Sequence, residues 1–247
     1  MQRPIGLFTD FGLSGPYLGQ VRCALLRDAP AAPVIDLMAD APACAPRAAA
    51  YLLAALAAEW SRDMVVMAVV DPGVGGARLP LIVEADGRWF VGPDNGLFEM
   101  VWRRASRVRA WAITWRPRRL SASFHGRDLF APVAARLSRG EAPETIGAEA
   151  VAPWRPEHWP DDLAEVIYTD VYGNAWTGLR AAALPPTARL GVAGRWLSRA
   201  RTFSDRPPGD AFWYENSSGL VEVAVTQGSA AAVLGLGLGA AVQVNVD

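Results

Sequence analysis

Ile5-Gly6-Leu7-Phe8-Thr9-Asp10-Phe11-Gly12 is the stretch that decides the fold of the first half of the chain. Ile5 to Phe8 is a short apolar run of strand character that stops at a carboxylate and a glycine. The window after it, Tyr17 to Asp28, carries apolar residues at helical spacing. A strand turning into a helix in this way sets Asp10 at the carboxyl edge of a sheet, the side on which α/β proteins bind ligands. The same stretch is not a charged segment followed by a long apolar one, so no secretory leader is expected and the protein is expected in the cytoplasm.

Working outward, Val34 to Leu37, Met64 to Val70, Leu81 to Glu84 and Arg88 to Val91 read as further short strands. Pro46 to Trp60 and Ala131 to Ser138 read as helices. This alternation predicts a layered α/β domain over residues 1–150. From Glu141 to Asp162, Pro143, Pro153, Pro156 and Pro160 predict a stretch without regular structure, with a linker at 151–162. Beyond it, Ala164 to Thr169, Ala188 to Val192, Ala211 to Glu215, Leu220 to Val225 and Ala240 to Val246 read as strands separated by turns. The fold class expected is therefore α/β, an N-terminal layered α/β domain followed by a smaller all-β domain over 163–247.

Composition narrows the chemistry. The 247 residues are 51% hydrophobic and 20% charged, enough to bury large cores, and no apolar stretch reads as a membrane span. Two cysteines, Cys23 and Cys44, make no disulfide framework, and two histidines without a CxxC pair make no zinc motif, so no metal or cofactor is expected. A net charge of −1 speaks against a nucleic-acid partner. The arginines between Trp102 and Arg119 interleave with Trp102, Trp111 and Trp115 and read as a solvated, partly paired face.

Several motifs carry polar groups at turns. Asp-Phe-Gly at Asp10 lacks the lysine and catalytic loop that a kinase would require, and an aspartate there can equally cap a helix. Val70-Asp71-Pro72-Gly73-Val74-Gly75-Gly76 ends a strongly apolar strand and runs on to Arg78; without a lysine or following helix it is no phosphate loop. Pro93-Asp94-Asn95-Gly96-Leu97 is a dense turn leading into a helix. Ser123-Phe124-His125-Gly126-Arg127-Asp128 sets a histidine just before a helix, where Asp128 could satisfy it. Asp170-Val171-Tyr172-Gly173-Asn174 groups a carboxylate, an aromatic face and an amide suited to a flat heteroaromatic ligand, and Asn216-Ser217-Ser218-Gly219 adds small polar groups before a strand.

In this order the motifs, with Tyr17, Gly19, Glu222 and the run Gly228 to Leu236, resemble the S-adenosylmethionine (SAM) hydrolase family, also called SAM hydroxide adenosyltransferases. These are relatives of the SAM-dependent fluorinase and chlorinase. The resemblance implies a β-barrel-like second domain and a homotrimer with active sites at subunit interfaces. It implies hydrolysis of SAM to adenosine and methionine, with SAM as substrate and no cofactor. By the same resemblance Asp71, Arg78 and His125 would orient and activate water. Asp10 would bind the ribose diol, Tyr172 and Asn174 the adenine, and Asp170 with Ser217 the methionine amino acid group. Tyr172 and Ser123 stand where Phe and Thr are common, both mild changes.

The implied chemistry is physically economical. A sulfonium leaves as a neutral thioether, so the need is for a water held in line with the ribose C5′–S bond, and such placement can lower a barrier by roughly 7–11 kcal/mol. A SAM-dependent halogenase, using the same substrate geometry, is the nearest alternative, but a halide needs no water-activating group. A non-catalytic adenosine- or SAM-binding protein is the alternative from another class. A nucleoside hydrolase would want clustered aspartates for calcium near Asp10.

Overall fold

The computed structural model describes residues 2–246. They divide into two compact units, everything up to Ala54 with Trp60–Pro156, and Ala55–Glu59 with Glu157 onward.

The first unit is built on a seven-stranded sheet ordered β2-β1-β3-β5-β4-β6-β7. Its strands are β1 Ile5–Thr9, β2 Val34–Met38, β3 Val65–Val69, β4 Pro80–Ala85, β5 Arg88–Pro93, β6 Val108–Ile113 and β7 Ala148–Ala150. β1 pairs in parallel with β2 and β3, and β3 with β5, while β4 runs antiparallel to β5 and β6. Every residue of β1 and β3 is buried, the continuous apolar pattern expected of strands covered on both faces. Helices α1 Tyr17–Asp28, α2 Pro46–Leu56 as far as Ala54, α3 Glu99–Arg104, α4 Ala131–Ser138 and the single turn α5 Pro143–Ile146 also belong to it, and a π-helical turn Gly126–Phe130 leads from His125 into α4. Val21 and Leu25 of α1 and Val133 and Leu137 of α4 share one core with Ile5, Leu7, Val65 and Met67.

From β1 the chain crosses to β2 on one side and later returns to β3 on the other. The strand order thus reverses between β1 and β3, and a crevice is expected beyond their carboxyl ends. Thr9 pairs with Val69, so Asp10 and the Val70-Asp71 pair leave the sheet side by side.

Several details depart from the sequence expectations, among them strand β6, which lies outside the strands expected there. The stretch from Glu141 to Asp162 is not devoid of regular structure, for it contains α5 and β7. Pro143 occupies the first turn of α5, where a missing N–H costs nothing. The helix expected over Pro46 to Trp60 ends at Leu56 and tightens into a 3₁₀ turn at Ala57–Glu59.

The second unit holds two antiparallel sheets. One is ordered β12-β13-β9-β8, from β8 Leu163–Thr169, β9 Ala175–Arg180, β12 Ala211–Glu215 and β13 Leu220–Val225. The other is ordered β11-β10-β14, from β10 Arg189–Val192, β11 Arg195–Ser198 and β14 Gln243–Asn245. Trp213, Val221, Val223 and Leu190 centre its core, and the short helix α6 Ala230–Leu234 is capped by the Ser229 hydroxyl. Strands β9 and β11 go beyond the sequence reading, and β14 is shorter than the strand expected over Ala240 to Val246.

Candidate active site

In the first unit the chain brings Asp71, Arg78 and His125 into one hydrogen-bonded series. Arg78 Nε lies 3.1 Å from both oxygens of Asp71, and Arg78 Nη2 also bonds Asp71 Oδ2. The same Nη2 lies 3.0 Å from His125 Nδ1. The side chains of Asp71 and Arg78 are only 4% and 10% exposed. Removing two charges from water is costly, and the forked, multiply bonded geometry offsets that cost. The guanidinium also lies 5.4 Å from the centre of the Phe130 ring.

An arginine can only donate, so His125 Nδ1 must accept. A neutral His125 therefore carries its proton on Nε2 and presents an N–H on that side. Burial pushes the His125 pKa below the ordinary 6.5, the Arg78 charge pushes the same way, and Asp71 partly opposes them. Asp128, the alternative partner for this histidine, is engaged by Arg127 and by the Ser121 amide.

The surrounding motifs hold this series in place. Gly75 has φ of +80°, and a Cβ there would lie 2.5 Å from the Ala122 carbonyl oxygen, so only glycine lets the Asp71 loop meet the segment that carries His125. Asn95 Nδ2 donates to the Val70 carbonyl at 2.9 Å and anchors the residue before Asp71. Phe11, Tyr17 and Phe124 form a cluster of rings, Phe124 edge-to-face with both others, with centroid separations of 6.3, 5.8 and 5.4 Å. This cluster joins the Asp10 turn to the His125 segment. Asp10 Oδ2 accepts from the Cys44 amide at 3.0 Å. Burial raises the Asp10 pKa, the Cys44 bond opposes the rise, and the Asp71 charge adds to it.

In the second unit Asp170, Tyr172, Asn174 and Ser217 line a single cavity of about 760 Å³. Asp170 Oδ1 accepts from the Tyr172 and Asn174 amides, each at 2.9 Å, and Oδ2 accepts from Asn174 Nδ2 at 3.0 Å. Asp170 thus shapes the loop, and one of the roughly four lone-pair directions of its carboxylate remains for a ligand. Gly173 has φ of +82°, and a Cβ would strike the Ser229 hydroxyl. The loop so held buries Asn174 and leaves Tyr172 76% exposed.

Residues 5–147 match the SAM hydroxide adenosyltransferase N-terminal domain and residues 164–243 the SAM hydroxide adenosyltransferase C-terminal domain. The chain belongs to this family. Among curated relatives, the (R)-S-adenosyl-L-methionine hydrolase of Thermus thermophilus is 42% identical, over 95% of this chain and 96% of its own. That of Salinispora arenicola is 40% identical, over 93% of each chain. The crystal structure of a conserved protein from Thermotoga maritima superposes with a TM-score of 0.88 at 27% identity, covering 98% of this chain and 100% of its own.

The cavity of the second unit also contains groups to which the sequence assigned no role. Glu222 is 1% exposed and accepts from the Tyr214 hydroxyl and, at 3.1 Å, from Asn216 Nδ2. Burial raises its pKa, and these two bonds oppose the rise. Tyr214 and Glu222 face each other across β12 and β13. Both segments read as strands in the sequence, and a carboxylate inside the apolar run Leu220 to Val225 was the available signal. Trp176 and Phe203 add aromatic walls.

Proposed function

We propose that this chain hydrolyses SAM to adenosine and L-methionine, with water attacking the ribose C5′. The observation that carries the proposal is the Asp71-Arg78-His125 series, in which Arg78 donates to Nδ1 and leaves Nε2–H as the free face of the imidazole. Water supplies the oxygen, the C5′–S bond breaks, and the sulfur keeps the electron pair as the thioether of methionine. The water proton goes to solvent, so SAM cation and water become adenosine, methionine and one proton. His125 holds the oxygen as a hydrogen-bond donor, and the Arg78 charge favours hydroxide character in it. Asp71 anchors Arg78.

Asp10 would hold the ribose diol, a fitting use for a carboxylate with acceptor sites to spare. Tyr172 offers its exposed ring to the adenine, with Asn174 beside it, and Asp170 with Ser217 would take the amino acid end of the substrate. The names of the relatives point to the (R) sulfonium epimer. The homotrimer with active sites at subunit interfaces and the cytoplasmic setting belong to the same proposal, as does the 1–150 and 163–247 domain division with its linker at 151–162. Among the described residues no helix is long and apolar enough to cross a membrane.

The test is chromatography and mass spectrometry of SAM incubated with the protein in oxygen-18 water, with and without chloride. Adenosine labelled at the 5′ oxygen, with methionine, is expected in both. A 5′-chloronucleoside as the main product would make the chain a halogenase, and intact SAM would make it a binding protein.

A further inference from the structure

A second groove lies in the first unit, of about 800 Å³, between α1, α4 and the segment that follows β6. Arg27, Arg118, Arg119, Arg127, Arg136 and Arg139 line it. Against them stand Asp28 and Asp128 in the lining and Glu141 beside it, which leaves a surplus of three positive charges in a chain whose net charge is −1. The chain contains no lysine, so arginine as a residue type is unremarkable here, and only the clustering carries information.

Most of the cluster has a structural role. Arg127 forks onto Asp128 and reaches Gln20 at 2.6 Å. Arg136 and Arg139 share Glu141, and Arg136 also donates to the carbonyls of Thr145 and Ile146. Arg27 pairs with Asp28. Arg118 and Arg119 have no such role: both are exposed, and among the described residues neither makes a hydrogen bond or an ion pair. Arg119 feels the Asp128 charge but bonds no carboxylate, so two adjacent guanidiniums stand side by side in a charged concavity, repel each other and are stabilised by an anion.

We infer that this groove binds an oligophosphate, the phosphate chain of inorganic triphosphate or of a nucleoside triphosphate. Guanidiniums match phosphate oxygens in forked pairs, and several of them around one concavity match several phosphates better than one. The groove volume is that of a small-molecule site. Asp28 and Asp128 disfavour a long uniform polyanion lying across it. The inference is independent of the proposed SAM chemistry, and its test does not use SAM.

The experiment is calorimetric titration of the full chain with inorganic triphosphate, a nucleoside triphosphate, orthophosphate and a single-stranded oligonucleotide, at about 0.15 M salt. The proteins are the natural chain, the Arg118→Gln/Arg119→Gln pair and the charge-retaining Arg118→Lys/Arg119→Lys pair. Triphosphate, free or on a nucleoside, is expected to bind the natural chain at least tenfold tighter than orthophosphate. The glutamine pair should weaken it at least tenfold, with unchanged Tm in the absence of ligand, and the lysine pair should fall between. Absence of triphosphate binding, equal affinity in the glutamine pair, or oligonucleotide affinity that exceeds triphosphate and grows with length would overturn the inference.

Discussion

In the first unit Asp71 and Arg78 are nearly buried and bonded to each other, whereas in the second Tyr172 stands 76% exposed beside a cavity of about 760 Å³. Gly75 locks the first arrangement against the Ala122 carbonyl, and Gly173 locks only the base of the second, leaving its aromatic side chain free. The difference follows from what each region is asked to do under the proposed reaction. A group that orients a small nucleophile gains from being held rigid and dry before substrate arrives. A face that meets a flat ring needs apolar surface and can stay open until the ring covers it. Changes to the Asp71-Arg78-His125 series should therefore act on turnover, and changes to the Asp170–Asn174 loop on binding.

The largest effect is expected for Arg78→Ala. It leaves Asp71 buried without its partner and His125 Nδ1 without a donor, so kcat should fall about 10²–10³-fold, as when one preorganised donor is lost. Stability should fall by about 3–5 kcal/mol, since one half of a buried ion pair remains uncompensated. Stopped-time assays and chemical denaturation would measure the two, and a loss confined to KM would break the contrast between the units.

Gly75→Ala comes next. The left-handed conformation alone costs a side chain roughly 1–2 kcal/mol, and the contact with Ala122 adds to it. Gly219→Ala, with φ of +75° but open space around it, carries only the first cost and serves as the control. Thermal melts should show the larger loss at Gly75, with kcat reduced there alone; equal losses would mean that the close approach is relieved by a small backbone shift.

Tyr172→Ala should raise KM about tenfold and leave kcat within about twofold, in line with a stacking contribution of about 1–3 kcal/mol. A fall in kcat as large as that of Arg78→Ala would place Tyr172 with the catalytic groups.

The smallest effect is in pH dependence. The folded His125 pKa lies below 6.5, so the folded state binds fewer protons than the unfolded chain in the window just under that value. The stabilisation from neutral His125 is complete above about 6.5 and is lost as pH falls through the folded value. The protonated ring would also carry an N–H on Nδ1, facing the Arg78 donor. Both kcat/KM and stability should decline on the acid side, with the kinetic midpoint below 6.5. A midpoint above 6.5 would mean that Asp71 outweighs burial and Arg78.

The two regions were also unequally legible in the sequence. Asp71 and Arg78 are seven residues apart in one loop, and the apolar strand before them announces where that loop stands. His125 lies 47 residues from Arg78, and only the closing of the fold joins them. The continuous apolar run Val65–Val69 was easy to recognise because both faces are buried. Ala175–Arg180 was missed because Gly178, packed on Leu163, interrupts its β-branched and aromatic signal. Helix Pro143–Ile146 was hidden by its own start signal, a proline taken as a breaker. Tyr214 and Glu222 were visible as residues of two expected strands, but their mutual hydrogen bond depends on the register of β12 against β13, which no local pattern states.

In the proposed reaction His125 acts through an Nε2–H donor and not as a base. The direct measurement is single-turnover rate in His125→Gln beside His125→Ala, because a glutamine amide can place an N–H near the Nε2 position but cannot accept a proton there. His125→Gln is expected to keep at least ten times the rate of His125→Ala, with an acid limb no longer set by this residue. Equal, near-complete loss in both variants would contradict it and make His125 the proton acceptor.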